Sequence, residues 1–323
     1  MCTALRYVGT STLFGRNLDF DFSYGESLVF LPRNLGIAFH DGSILHHHKA
    51  ILGVAHVAED YPLLYDGMNE DGLAIAGLNF VGNAKFYPEC EEKKNVAQYE
   101  FMLYLLSTCS TIREVEEQVK QINITGTPFS NFPPSQLHYM AADKTGSIVI
   151  ENKGDVLAVY PNPTDVLTNN PPFEMQMFHL SNYQNLTPEE PENRFSSELE
   201  LKNYSRGMGA IGLPGDLSSM SRFVKVAFTR LNGRKEDTEE KSLAQYFHII
   251  SSVEQQKGIC RLGHGKEEYT IYTSCYHLEK KILFYRTYDA MKTHAVRMPA
   301  NELDSERMKV YPMVIDKEVA FDN

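Results

Sequence analysis

No stretch of this 323-residue sequence approaches the ~18 uninterrupted apolar residues that a membrane-spanning helix requires. The amino terminus carries neither a basic region nor an apolar run, so no secretory signal peptide is expected. No Cys-x-x-Cys pair occurs. Cys90, Cys109, Cys260 and Cys275 lie far apart, which removes the usual zinc spacing, and an odd total of five cysteines suits a reducing, cytoplasmic setting. Net positive charge is also missing. At -11 the chain is a poor partner for nucleic acid or a membrane surface, although local arginines could still receive a small anionic substrate. Internal repeats and flexible linkers are absent, so residues 1–323 are read as one domain. With 42% hydrophobic and 23% charged residues, that domain is expected to be globular with a substantial core. Three Asn-x-Ser/Thr sequons, at Asn123, Asn185 and Asn203, are attributed to chance in a chain without an export signal.

What is present reads as strands, two helices, strands, two helices, strands. Thr3 to Val8 and Thr12 to Leu18 flank a Gly-Thr-Ser turn; Leu28 to Leu31 and Ala50 to Val57 follow, and Asn69-Glu70-Asp71-Gly72 marks a hairpin. Tyr99, Met102, Leu103 and Leu106 repeat at helical spacing, as do Ile112, Val115, Val119 and Ile122, with a capping box at Thr111 and Glu114. Strands return near 137–160, broken at Lys144-Thr145-Gly146 and Lys153-Gly154-Asp155. Residues 170–205 read as a surface excursion with some short helix. Helices then carry Phe223, Val226, Ala227 and Leu231, and Leu243, Tyr246, Phe247 and Ile250, before a final hairpin turning near Glu279-Lys280. Runs of adjacent strands favour antiparallel pairing, so the expected fold class is α+β: two stacked antiparallel sheets with a helix pair outside each, an αββα sandwich.

The residue of greatest chemical interest is Cys2. Removal of Met1 would leave a thiol and an α-amine on one carbon. The amine titrates near 7.7–8.0, close to the thiol near 8.5, and could act as its base and later as the acid for a leaving nitrogen. Arg16 could favour the thiolate if the hairpin returns the 12–18 strand beside Cys2, and Asp19 could orient the amine. Three residues apart on one strand, those two side chains face opposite ways, so a bend at Asn17 or Leu18 is expected if both serve one site. Taken alone, these residues also read as a buried small cysteine and a surface ion pair. Asn169 and Asn170 also read as a turn before two prolines. Arg222, in the first turn of a helix, opposes the helix dipole or is simply a surface arginine.

Five blocks decide between these readings. MCTALR, FGRNLDFDFSYGE, NEDGLAIAGLNF, DVLTNNPPF and GLPGDLSSMSRFVKVAFT, followed by YTIYTSCY and FYRTYD, resemble in content and order the choloylglycine hydrolase family, which includes bile salt hydrolases and penicillin V acylases. The resemblance runs from residue 2 to about residue 289. It implies an N-terminal-nucleophile hydrolase that cleaves the amide of glycine- or taurine-conjugated bile salts. Cys2 falls on the nucleophile, Arg16 on the thiol-supporting arginine and Asp19 on the amine-orienting aspartate. Asn79 and Asn169 fall on the oxyanion asparagines and Arg222 on the second family arginine. Penicillin V acylases typically carry tyrosine at the Asn79 position, so asparagine favours bile salts. An oxyanion donor of this kind is worth ~2.7–4 kcal/mol.

A rigid steroid substrate calls for a wide apolar pocket. Leu18, Phe20, Phe22, Tyr24 and Met68 are expected near the nucleophile, with Phe129 and Leu137 flanking an overhanging loop, SNFPPSQ. Arg206 is expected to meet the taurine or glycine anion, because its guanidinium fork suits a sulfonate or carboxylate. His46, His47 and His48 are read as a solvated turn, and neither a metal nor a cofactor is expected. The resemblance also implies a homo-oligomer, typically a tetramer. The alternatives are the same chemistry on penicillin V or an acyl-homoserine lactone, or an inactive ligand-binding relative.

Overall fold

The computed structural model describes residues 1–154, 157–290 and 292–315. Asp155, the last residue of one expected turn, lies outside the described residues. Two antiparallel sheets dominate. In the first, the neighbours run Val166–Leu167, Cys2–Val8, Thr12–Phe20, Lys266–His277, Ile282–Thr287 and His294–Arg297. In the second they run Leu157–Pro161, Ser147–Asn152, Leu137–Ala142, Ala74–Asn79, Tyr61–Asn69, Ile51–Ala58, Ser27–Leu31 and Lys309–Pro312.

The sheets pack face to face, and helices cover each outer face. Phe101–Thr108 and Ile112–Val119 lie on the second sheet; Ser219–Asn232 and Glu239–Ser251 lie on the first. This is the αββα arrangement anticipated from the order of elements. A strand buried on both faces loses the in–out alternation of a half-exposed one. Thr12–Phe20 shows this, with Thr12 to Asp19 all buried. The Thr111 hydroxyl caps its helix by accepting from Glu114 N at 3.2 Å, but the Glu114 carboxylate accepts from Ser110 N at 2.7 Å, so the expected capping box is only half formed.

Edge strands His294–Arg297 and Lys309–Pro312 escape sequence reading because they are half-exposed and lack an apolar run. Lys94–Ala97 and Ile122–Thr125 pair in parallel outside both main sheets, also unforeseen. The excursion contains the helix Phe173–His179 and short 3-10 turns, otherwise irregular chain.

Gly15 explains the glycine of the Phe-Gly-Arg-Asn block. A Cβ at that position would overlap the Ser274 carbonyl of the neighbouring strand and come within 2.7 Å of the Tyr246 hydroxyl. That hydroxyl bonds the same carbonyl at 2.8 Å. Gly15→Ala should therefore lower unfolding free energy by about 1–3 kcal/mol or more, as overpacking does, with a matching fall in the urea midpoint. An unchanged midpoint would show that the strands can part without penalty.

Candidate active site

Cys2 begins the first strand and pairs with Leu18 on the next, while Ala4 pairs with Arg16. These four residues share the face that looks into the space between the sheets. The Arg16 guanidinium donates to the Cys2 sulfur, which is 2% exposed, and is held by the carbonyls of Gly77, Tyr65 and Asn17. Burial works to lower the Arg16 pKa, but the negative groups around it, Cys2 first and then Tyr272, Asp66 and Asp19, hold it above its ordinary value. Asp66, itself fully buried, accepts hydrogen bonds from Tyr272 and Tyr276, each at 2.5 Å.

The opposite face carries Thr3, Asn17 and Asp19. Asn17 bonds the Ile250 carbonyl of a covering helix at 3.1 Å. Asp19 accepts from Thr270 Oγ1 at 2.6 Å and Gln255 Nε2 at 3.4 Å, and lies 4.0 Å from Arg222. Burial raises the Asp19 carboxyl pKa, opposed by Arg222, the terminal amine and the Thr270 bond. The expected bend at Asn17 or Leu18 does not occur. The strand pairs regularly with Cys2–Val8, and the irregularity sits across from it, where Ile271 is extra between Thr270 and Tyr272. Both faces can converge on Cys2 because it ends its strand: the thiol projects to one side and the nitrogen lies at the strand's end.

Around that nitrogen the contacts are dense. Cys2 N donates to Asn169 Oδ1 at 2.7 Å. Arg222 donates to the Cys2 carbonyl and Thr3 Oγ1, each at 2.5 Å, to Asn169 Oδ1 at 2.8 Å and to Leu217 O at 2.9 Å. Its place in a helix's first turn, unfavourable for a cation, is offset by these acceptors and Asp19. Burial lowers its pKa, with Asp19 and Cys2 opposing. Met1 is bracketed by the Asp19 main chain, its amine 2.6 Å from Asp19 O and 2.5 Å from Glu268 Oε1.

Asn79 ends the strand Ala74–Asn79. Asn169 Nδ2 donates to its carbonyl at 2.9 Å, so the two asparagines, ninety residues apart, are tied together. The Asn79 amide has no hydrogen-bond partner among the described residues, and Asn79 lines a cavity of about 230 Å³ that opens beside Cys2 and Arg16. Ser219 Oγ accepts from Asn169 N at 2.8 Å and Gln176 Nε2 holds the Asn169 carbonyl. Sequence reasoning missed all four supporting residues: Ser219 and Thr270 lie within the quoted blocks but carry no distinctive chemistry there, and Gln176 and Glu268 lie outside them.

Of the expected pocket residues, Leu18, Phe20, Tyr24, Phe129 and Leu137 line this cavity. Phe132, Pro133, Pro134 and Ser135 of the SNFPPSQ loop join them, as do Met102, His56 and Glu26. Three other expected residues do not line it. Phe22 is 42% exposed, with its ring 4.4 Å from the Tyr24 ring, and does not line the cavity. Met68 is wholly buried in the core between the sheets. Arg206 stands exposed on the irregular segment and is not brought to the cavity. The histidine run is not simply solvated either. His48 is 4% exposed, its ring nitrogens 2.7 Å and 2.9 Å from the carbonyls of Lys49 and Leu35. Among the described residues, no group of three or more His, Cys, Asp or Glu is placed to hold a metal.

Comparison with known proteins adds independent findings. The model of linear amide C–N hydrolases, choloylglycine hydrolase family, matches residues 2–311. A bile salt hydrolase/transferase of Lactiplantibacillus plantarum is 46% identical over 314 residues, covering 97% of each chain. One from Clostridium perfringens is 38% identical, covering 96% of each. The crystal structure of a mutant conjugated bile acid hydrolase from Clostridium perfringens superimposes with a TM-score of 0.94 at 35% identity, covering 100% of both chains. A penicillin V acylase from Agrobacterium tumefaciens shares the fold, with a TM-score of 0.76 at 19% identity over 96% of this chain and 90% of that one.

Proposed function

Because this chain belongs to the choloylglycine hydrolase family of linear amide C–N hydrolases, we propose that it hydrolyses the amide joining a bile acid to glycine or taurine, with Cys2 as nucleophile after loss of Met1. The observation that carries the reading is the setting of Cys2. Its sulfur meets the Arg16 guanidinium, its nitrogen meets Asn169, and both lie beside an apolar cavity.

The chemistry follows from that geometry. With Met1 gone, the Cys2 nitrogen becomes a free amine whose neighbours are Asn169 Oδ1 and the main-chain groups of Asp19 that now hold Met1. The amine takes the thiol proton and Arg16 stabilises the thiolate. Sulfur attacks the carbonyl carbon, and the oxygen becomes an oxyanion facing the Asn79 amide and the remaining N–H of Asn169. Collapse breaks the C–N bond. The ammonium of Cys2 gives its proton to the departing nitrogen, releasing glycine or taurine and leaving a thioester. Water then gives a proton to the amine and attacks the thioester, and the returning thiolate recovers that proton as the bile acid leaves. Asp19 and Arg222 keep the amine and Asn169 in register.

Asparagine at position 79 and a cavity walled by Leu18, Phe20, Phe129 and Leu137 favour a bulky apolar acyl group. The test is parallel turnover of taurocholate, glycocholate and penicillin V. Conjugated bile salts should be cleaved at least about tenfold faster, in kcat/KM, than penicillin V. The reverse order would move the reading to an acylase. We also read the chain as a single domain in a cytoplasmic homotetramer. Five free cysteines support the reducing setting, and exposed apolar side chains on the excursion, Phe178, Phe195 and Tyr204, each at least 80% exposed, support a covered face. Sedimentation would test the assembly.

A further inference from the structure

Behind the two asparagines lies a buried His–Glu pair that the reaction above does not use. His138, on the strand Leu137–Ala142, and Glu151, on Ser147–Asn152, are both wholly buried. His138 Nδ1 is 3.2 Å from Glu151 Oε1, and Nε2 is 2.8 Å from the carbonyl oxygen of Thr168, the residue preceding Asn169. The Phe80 ring, next in sequence to Asn79, stacks on the imidazole at 4.3 Å and 7°. Glu151 Oε1 also accepts from Phe173 N at 2.8 Å, just beyond the Asn-Asn-Pro-Pro segment. The other carboxylate oxygen lies 3.3 Å from Lys153 Nζ, which reaches Glu174 at 2.6 Å.

The Thr168 carbonyl can only accept, so the imidazole donates to it from Nε2, and a further hydrogen bond joins Nδ1 to Glu151 Oε1, which also receives the Phe173 N–H. The pair clasps the chain on both sides of Asn169 while its ring supports the residue after Asn79. A buried polar pair is weak evidence for stability, since an apolar replacement is often as stable. Its contacts here run instead to Thr168 and Phe80, the chain neighbours of the two asparagines that face the developing oxyanion.

We propose that His138 and Glu151 are positioning residues that hold Asn79 and Asn169 in oxyanion-binding geometry without touching substrate. The proposal rests on the hydrolytic reading above. Its distinguishing consequence is that it acts on the oxyanion and not on the nucleophile. Alkylation of Cys2 by iodoacetamide displaces iodide at a saturated carbon and forms no oxyanion, so it reports the thiolate alone. His138→Phe, which keeps a ring against Phe80 but removes both ring nitrogens, should lower kcat for glycocholate by about 10²-fold, as a slight misplacement of reacting groups can. KM should stay within about threefold and the Cys2 alkylation rate within about twofold of the parent. Glu151→Gln, nearly isosteric, should shift kcat the same way, and the double variant should be no slower than the worse single, as for residues acting as one unit.

Alkylation falling in step with kcat would overturn the proposal, as would a change in kcat below about threefold in both variants. If His138→Phe does not fold, Glu151→Gln carries the same comparison. A parent that alkylates at Cys2 yet fails to cleave glycocholate would count against the proposed function instead. In that event a crystal structure of Glu151→Gln decides: lengthened Cys2 N to Asn169 Oδ1 and Asn169 Nδ2 to Asn79 O separations support the positioning role, and unchanged ones refute it.

Discussion

Cys2→Ala should reduce turnover of taurocholate and glycocholate by a factor on the order of 10⁴ or more, while the protein remains folded. The asymmetry has a structural cause. Removing one sulfur from a side chain at the end of a strand leaves the register of Cys2–Val8 with Thr12–Phe20 intact, because main-chain bonds and Ala4, Leu5 and Tyr7 hold it. It also leaves the Arg16 guanidinium in place on the carbonyls of Gly77, Tyr65 and Asn17. The chemical step, however, loses the only atom that can form the thioester. An uncleaved extension before Met1 should be equally damaging, since it keeps the Cys2 nitrogen in a peptide bond where it can neither take nor give the proton. Intact mass and peptide mapping after iodoacetamide check both. The parent should lack Met1 and carry the label at Cys2, and Cys2→Ala should carry none there. A Cys2→Ala protein that deconjugates at the parental rate would remove the mechanism.

Arg222→Ala should be damaging in a different way, to stability and activity together. The guanidinium is wholly buried and satisfies Cys2 O, Thr3 Oγ1, Asn169 Oδ1 and Leu217 O, with Asp19 at 4.0 Å. Truncation leaves the Asp19 carboxyl without its nearest cation and strands several buried acceptors. Breaking a buried pair on one side costs about 3–5 kcal/mol, which urea unfolding would register. Loss of the Asn169 anchor should lower kcat by about 10²–10³-fold, as loss of an oxyanion donor does. Arg222→Lys restores the charge but not the planar fork, so it should recover much of the stability and less of the rate. Should the alanine variant keep both its urea midpoint and its kcat, the convergence on Arg222 would be incidental.

The two variants separate what was local from what was not. Cys2 is conspicuous in the sequence because its chemistry depends on one position, the second residue, and on Met1 being removable. Arg222 is not. From its own neighbourhood it is a cation in a helix's first turn, and only the family blocks marked it. The same contrast holds in the cavity wall. Leu18 and Phe20 lie on the strand paired with Cys2 and Tyr24 lies just beyond it, and all three line the cavity. Phe22, next to them, stays exposed against the Phe20 and Tyr24 rings, because side-chain direction past the strand's end at Phe20 depends on local packing rather than alternation. Met68 lies elsewhere for a related reason: its end of the strand, residues 66–69, is buried on both faces, so apolar character could not say which apolar space it fills. Arg206 carried suitable chemistry for the head-group anion, but its irregular segment leaves it exposed and apart from the cavity.

The sequence by itself determined the class of fold and the helix pairs, and it brought Cys2 and Arg16 together. Strand and helix periodicity are local properties, and the Cys2–Arg16 contact needs only one short hairpin. Tertiary structure alone decided how Arg16 and Asp19 serve one residue from opposite faces of a straight strand. It also decided how Asn79 and Asn169 are tied together and which carboxylate and imidazole stand behind them. Those contacts join positions tens to hundreds of residues apart, and their geometry is set by sheet register and the stacking of four layers, quantities that no single stretch of sequence encodes.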